Sequence, residues 1–82
     1  MKKIAVISAI LEDPKECQES FNKVVSNFRG SIRGRMGIPF DEGISVISIT
    51  VTGTLEEINS LTGKLGNIPR VVVKTAIAKK EI

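Results

Sequence analysis

Few side chains in this 82-residue chain could do chemistry. There is one cysteine, Cys17, and no histidine or tyrosine. A lone thiol excludes an intrachain disulfide, and without histidine it cannot complete a Cys/His zinc or iron–sulfur site. Cys17 also falls on an apolar helical stripe, where cysteine behaves as a small hydrophobe rather than a nucleophile. Glu12 with Asp13, and Asp41 with Glu42, are neighbouring acids. Neighbours along a chain do not face each other as a general acid and base must, and capping or turn roles suit both pairs better. No catalytic residue, metal site or cofactor is expected, and the chain does not read as an enzyme.

Phosphate and nucleic-acid chemistry fare little better. TGKLG, residues 62–66, has a glycine–lysine pair but lies in or at the end of a helix, whereas a Walker loop precedes one. Gly66 suits a left-handed helix end there, and Gly63 suits close approach of a neighbouring element. The first strand-to-helix loop, LEDP, is acidic, unlike the arginine-bearing phosphate loop of acylphosphatases. RNA-recognition domains stack bases on aromatics of central strands, but only Phe21, Phe28 and Phe40 are present and none lies in a central strand. The balance of 12 Lys+Arg against 9 Asp+Glu gives +3, a mild excess that does not mark a nucleic-acid binder.

What remains is GSIRGRMGIPF, residues 30–40. Ser31, Arg33 and Arg35 alternate with Ile32, Gly34 and Met36 at the period of a strand, with Pro39 closing it. Alternation places the arginines on one side and Ile32 and Met36 on the core side, unless a bulge at Gly34 resets the phase. Charges on an edge strand can serve only to discourage aggregation. That account leaves Gly34 and Gly37 unexplained, because glycine weakens a strand and is most useful where backbone or ligand comes close. A strand at a subunit seam accommodates both glycines. Arg33 and Arg35 could there pair with acids such as Glu42 of a neighbour, or hold an anionic effector by bidentate contacts.

The elements that position this stretch are legible from periodicity. Lys3 to Leu11 is apolar at nearly every position, with Ile4, Val6 and Ile10 on one face and Ala5, Ile7 and Leu11 on the other, as in a central strand. Asp13, Pro14 and Glu16 form a box-like helix start. Cys17, Phe21, Val24, Val25 and Phe28 then make one helical stripe. PFDEG reads as a turn and Ile44 to Val51 as a strand. Thr54 and Glu57 form a capping box for a helix lined by Ile58, Leu61 and Leu65. Arg70 to Ala78 is the last strand, followed by the charged tail KKEI.

The order β-α-β-β-α-β predicts one α+β domain over residues 1–82 with a ferredoxin-like fold. Four antiparallel strands form the sheet, with both helices on one face and the second and fourth strands at the edges. Two helices cover one face only, while the central strands are apolar on both. The uncovered face is larger than monomers usually expose, and another copy is the simplest cover. The pattern leaves open which set of residues faces the helices. The start MKKIAVISAIL has no cleavage site after a short apolar run, and no run approaches the roughly 20 residues that span a bilayer. A cytoplasmic protein without membrane contact is expected.

GRMGIPF with the following GISVISITVTGT, and INSLTGKLGNIPRVVVKTA, together resemble the small regulator family of iron-only hydrogenase systems. The similarity covers nearly the whole chain and is strongest from Gly34 to Lys74. Members of that family look like ACT-type regulatory domains and like the C-terminal domain of nickel-responsive repressors. ACT domains associate and often bind small molecules, commonly amino acids, between subunits. The resemblance therefore implies a regulatory role. LEDP departs from the glycine that many amino-acid-binding ACT domains carry in that loop. The chain begins directly at its first strand, so a DNA-reading segment like that of the nickel repressors is not expected. The expectation is a homo-oligomer, a dimer or tetramer, taking a small anionic or amino-acid effector or a protein partner. Arg33, Gly34, Arg35 and Gly37 are its candidate effector or interface residues. A scaffolding oligomer without ligand is the alternative.

Overall fold

Strict alternation settles the face left open by the sequence. In the computed structural model, which describes residues 1–82, β1 spans Lys3–Leu11 and buries Ala5, Ile7, Ala9 and Leu11 while the intervening side chains stay exposed. The helices therefore cover the Ala5 side, and Ile4, Val6, Ser8 and Ile10 face outward. Alanines at 5 and 9 keep that side low, so helices can pack close to it.

α1 follows as Pro14–Ser26, with Pro14 in its first turn. The expected box at its start does not form. Asp13 occupies the N-cap, but its side chain makes no capping bond. Its backbone carbonyl instead accepts from Glu16 N–H, from Cys17 N–H and from Cys17 Sγ at 3.0 Å. The stripe is as predicted: Cys17, Phe21 and Val25 are buried, and Val24 and Phe28 pack at the margin of the same core. α2, Leu55–Gly66, has the full capping box, with Glu57 N–H donating to Thr54 Oγ1 and Thr54 N–H donating to Glu57 Oε1 at 2.8 Å. Ile58, Leu61 and Leu65 are its buried face. Its end differs from expectation. Gly66 is the last helical residue without a positive φ, and Asn67 caps in the right-handed region. Nothing lies within 4 Å of a Cβ placed on Gly63, so no element of the chain uses that glycine for close approach.

β2 (Ser31–Pro39), β3 (Ser45–Gly53) and β4 (Val71–Glu81) complete a four-stranded antiparallel sheet in the order β2-β3-β1-β4. β2 and β4 are thus the edges, as the sequence pattern required. β2 and β3 are joined by a turn in which Gly43, at φ 79, takes the left-handed conformation that a side chain disfavours. β4 runs further than the apolar pattern suggested. Lys79 to Glu81 stay in the strand, and Lys3 Nζ donates to the carbonyls of Ala78 and Lys79 beside an irregularity in the β1–β4 register. Arg70 lies just before β4 rather than in it, at φ 67, with its carbonyl accepting from Glu12 N–H.

The core is one cluster of 14 side chains between the helices and the inner sheet face, with Phe21, Ile7, Leu11 and Ile58 among its largest. At one end the Phe28 ring lies over Gly30 and Gly53. A Cβ on Gly30 would overlap the Thr52 carbonyl oxygen and the Phe28 ring, so this glycine is fixed by intrachain packing. Gly30→Ala should cost about 1–3 kcal/mol, the usual penalty for overfilling a packed site, read as a lowered midpoint of urea denaturation with unchanged slope. Cys17, only 3% exposed, should react slowly with thiol reagents in the native state and fast in denaturant; equal rates would contradict its placement.

Candidate functional site

The second strand is exposed along its whole length, so its backbone edge and both of its faces are available. Its register against β3 shifts between Ile32 and Gly34, leaving Arg33 as the extra residue of a bulge. That shift resets the alternation. Paired residues of antiparallel strands share a face. Ile32 pairs with Val51 and Arg35 with Ile49, both on the helix side, and Gly37 pairs with Ile47 on the same side. Gly34 pairs with Thr50, Met36 with Ser48 and Ile38 with Val46, all on the open side. Ile32 and Met36 thus point to opposite faces, and Met36 is 61% exposed. The bulge that could reset the phase near Gly34 does form, at Arg33, so Ile32 keeps the core side expected of it and Met36 does not.

The four candidate residues therefore separate. Gly34 belongs to the open sheet face, Arg33 to the bulge, and Arg35 and Gly37 to the helix side. Arg35 is held there by α1: its Nη2 donates to Asn22 Oδ1 at 2.6 Å, and its guanidinium carbon stands 5.7 Å from the centroid of the Phe21 ring. A cation at this distance from an aromatic face is attracted by the ring quadrupole. Of the five N–H donors a guanidinium carries, one is engaged by Asn22, so others are free to meet a carboxylate or phosphate.

Beside Arg35 is a cleft of about 310 Å³ between α1 and the β2–β3 hairpin. Gln18, Arg35 and Ser45 supply its polar groups, and Leu11 and Ile47 its apolar side chains. Gly37 opens it: the nearest atom to a Cβ built there is Ile47 Cγ1 at 4.0 Å, so the space is shaped by the missing side chain. Gly34 likewise has nothing within 4 Å of a built Cβ. Neither glycine is demanded by packing within the chain, in contrast to Gly30.

Two further clefts, each of about 410 Å³, were not visible in the sequence. One brings Arg29 and Lys64 to the junction of α1 and α2, beside Glu56 and the capping Glu57. The other lies over Asp13, Cys17 and Arg70, where Arg70 Nη1 stands 3.8 Å from Asp13 Oδ2 on the surface. Each joins residues far apart in the chain through the α2–β4 or α1–β2 connections, and only the folded topology reveals that. No three side chains among Cys, Asp and Glu gather in a metal-binding cluster, and no helix is long and apolar enough to cross a membrane.

Comparison with known proteins agrees with this architecture. The crystal or solution structures that resemble it include the uncharacterized protein TM1266 from Thermotoga maritima, 30% identical, which aligns over 96% of this chain and 100% of its own with a TM-score of 0.89. The ACT domain of GTP pyrophosphokinase from Chlorobium tepidum, 22% identical, aligns over 93% of this chain and 100% of its own with a TM-score of 0.81. An ACT domain protein from Streptococcus pneumoniae, 14% identical, aligns over 93% of this chain and 90% of its own with a TM-score of 0.68. The latter two show that the fold is the ferredoxin-like, ACT-like one. No curated protein matches the chain in sequence. Residues 3–75 match the family described as "TM1266-like: Iron-only hydrogenase system regulator, putative". Because that match runs from the first strand into the last, the chain belongs to the TM1266-like family of iron-only hydrogenase system regulators.

Proposed function

We propose that this protein is a homo-oligomeric regulatory module of an iron-only hydrogenase system, and that a small carboxylate-bearing effector binds at β2 through Arg35 and Gly37. Arg33 and Gly34 lie on the same strand and serve the neighbouring subunit seam. The observation that carries this reading is the held guanidinium: Arg35 is fixed by Asn22 and Phe21 at the mouth of a cleft that Gly37 keeps open. A pre-positioned fork of donors loses less freedom on binding than a free side chain would. A family of regulators with an ACT-like fold supports a sensing role over a catalytic one. ACT domains, which this chain is similar to, commonly take amino acids between subunits, and the size of the cleft suits a ligand of that class.

Regulation would follow from where these residues sit. The effector contacts the helix side of β2, while the other side of the same strand belongs to the open sheet face. A ligand that favours one position of this edge strand favours whichever assembly that position permits.

The test is a thermal-shift screen of amino acids, small dicarboxylates and nucleotides, with Arg35→Ala as control. A ligand present at a hundred times its Kd adds about 2.7 kcal/mol, which for a domain of this size raises Tm by roughly 10 °C or more. Arg35→Ala should abolish the shift while changing the stability of the unliganded protein by less than about 1 kcal/mol, since the side chain is exposed. A scaffold without ligand gives no shift with any compound, and a shift that survives Arg35→Ala moves the effector to another cleft.

A further inference from the structure

Four rows of side chains cross the open face of the sheet, and their composition is unlike the rest of the surface. One end row is Ile38, Val46, Ile10 and Val72; the next is Met36, Ser48, Ser8 and Lys74. The third is Gly34, Thr50, Val6 and Ala76, and Ile4 beside Thr52 begins the fourth. Lys74 alone among these is charged, and it stands on the edge strand β4. Charged residues make up 26% of the chain as a whole. Val6 and Ile10, on the central strand, are 42% and 41% exposed, which no other element of the chain reduces.

We infer that this face packs against the same face of a second copy, sheet on sheet, about a two-fold axis through the Ser8 region. This specifies the surface of the assembly proposed above and rests on that reading of the protein as an oligomer. Three observations select a copy of this chain as the occupant. Four strands spaced by about 4.8 Å, three of them nine residues long and the fourth eleven, present at least about 19 Å by about 30 Å, or about 570 Å² per copy. Two copies bury roughly 1,100 Å², which clears the roughly 1,000 Å² that a specific interface requires. Second, the open side of β1 is Ile4, Val6, Ser8 and Ile10, apolar at both ends with one polar residue inside. A two-fold rotation sets apolar ends against apolar ends. Third, the second row carries the Ser8 and Ser48 hydroxyls, each both donor and acceptor, so the row can satisfy its own image. Charge is depleted where an interface core would be, and Lys74 at the rim can lay its stem along the seam with its ammonium in water.

The decisive variant is Ser8→Glu. Ser8 is exposed, and it pairs across β1–β4 with Lys74, so a carboxylate there gains a cross-strand partner in the isolated subunit and buries a charge in the proposed interface. Sedimentation velocity at tens of micromolar should give the wild type a mass of at least twice 8.9 kDa. Ser8→Glu should give at most half the wild-type mass, with an unchanged far-UV circular dichroism spectrum. Val72→Glu, at the rim of the same face, provides a second variant should Ser8→Glu fail to fold, and it too should lower the mass. Wild-type mass in a folded Ser8→Glu and in Val72→Glu overturns the inference, as does a monomeric wild type. Loss of assembly in Arg33→Ala with the face variants unaffected would place the seam at the β2 edge instead. The effector reading is judged separately, by the thermal shift of Arg35→Ala, and can fail while the face pairing stands.

Discussion

The structure depends on a mismatch between what two helices can cover and what four strands expose. β1 is apolar toward both faces, and the packing of α1 and α2 removes only the Ala5, Ile7, Ala9 and Leu11 side from water. The whole apolar core of the subunit lies on that side. Phe21 and Ile58 anchor the helices, the Thr54–Glu57 box fixes the start of α2, and Phe28 closes the end of the core over two glycines. The other side carries Ile4, Val6 and Ile10 half-exposed. A domain of this length buries only about 60–65% of its unfolded surface, so a second apolar layer left in water is a cost that association relieves.

β2 is the element in which the two sides meet. One residue of bulge at Arg33 turns Arg35 and Gly37 toward α1 and Gly34, Met36 and Ile38 toward the open face. The proposed effector cleft and the proposed interface thus share a single edge strand, nine residues long, that no helix covers. Coupling between ligand and assembly then requires only a small displacement of this strand, the least constrained of the four in packing terms.

Much of this was written plainly in the sequence. The β-α-β-β-α-β order, the bounds of β1, the apolar stripe of α1 and the capping box of α2 follow from period, branching and cap chemistry, and the fold has them all. What was hidden has a common cause, that single-residue backbone events leave no periodic trace. The glycine at 34 marked a place where the alternation could be reset, but only the pairing with β3 shows that the bulge forms, at Arg33, and moves Met36 and every later side chain to the opposite face. The α1 start looked like a box, yet the backbone carbonyl of Asp13 does the capping work with Cys17. Gly66 resembled a left-handed end, while Asn67 closes α2 in the right-handed region. The charged composition of Lys79 to Glu81 masked a strand continued by pairing with β1. At the candidate site, Arg35 was legible as a residue of interest, but its partners Asn22 and Phe21 lie on a helix and required the fold to identify.

A sheet face closed by a second copy leaves no stable monomer at working concentrations. Sedimentation equilibrium of the wild-type protein over micromolar to hundred-micromolar loading tests it most directly, because the mass obtained is independent of shape. The expected mass is an even multiple of 8.9 kDa, falling toward the single-chain value only on dilution. A single species of 8.9 kDa across that whole range would contradict it.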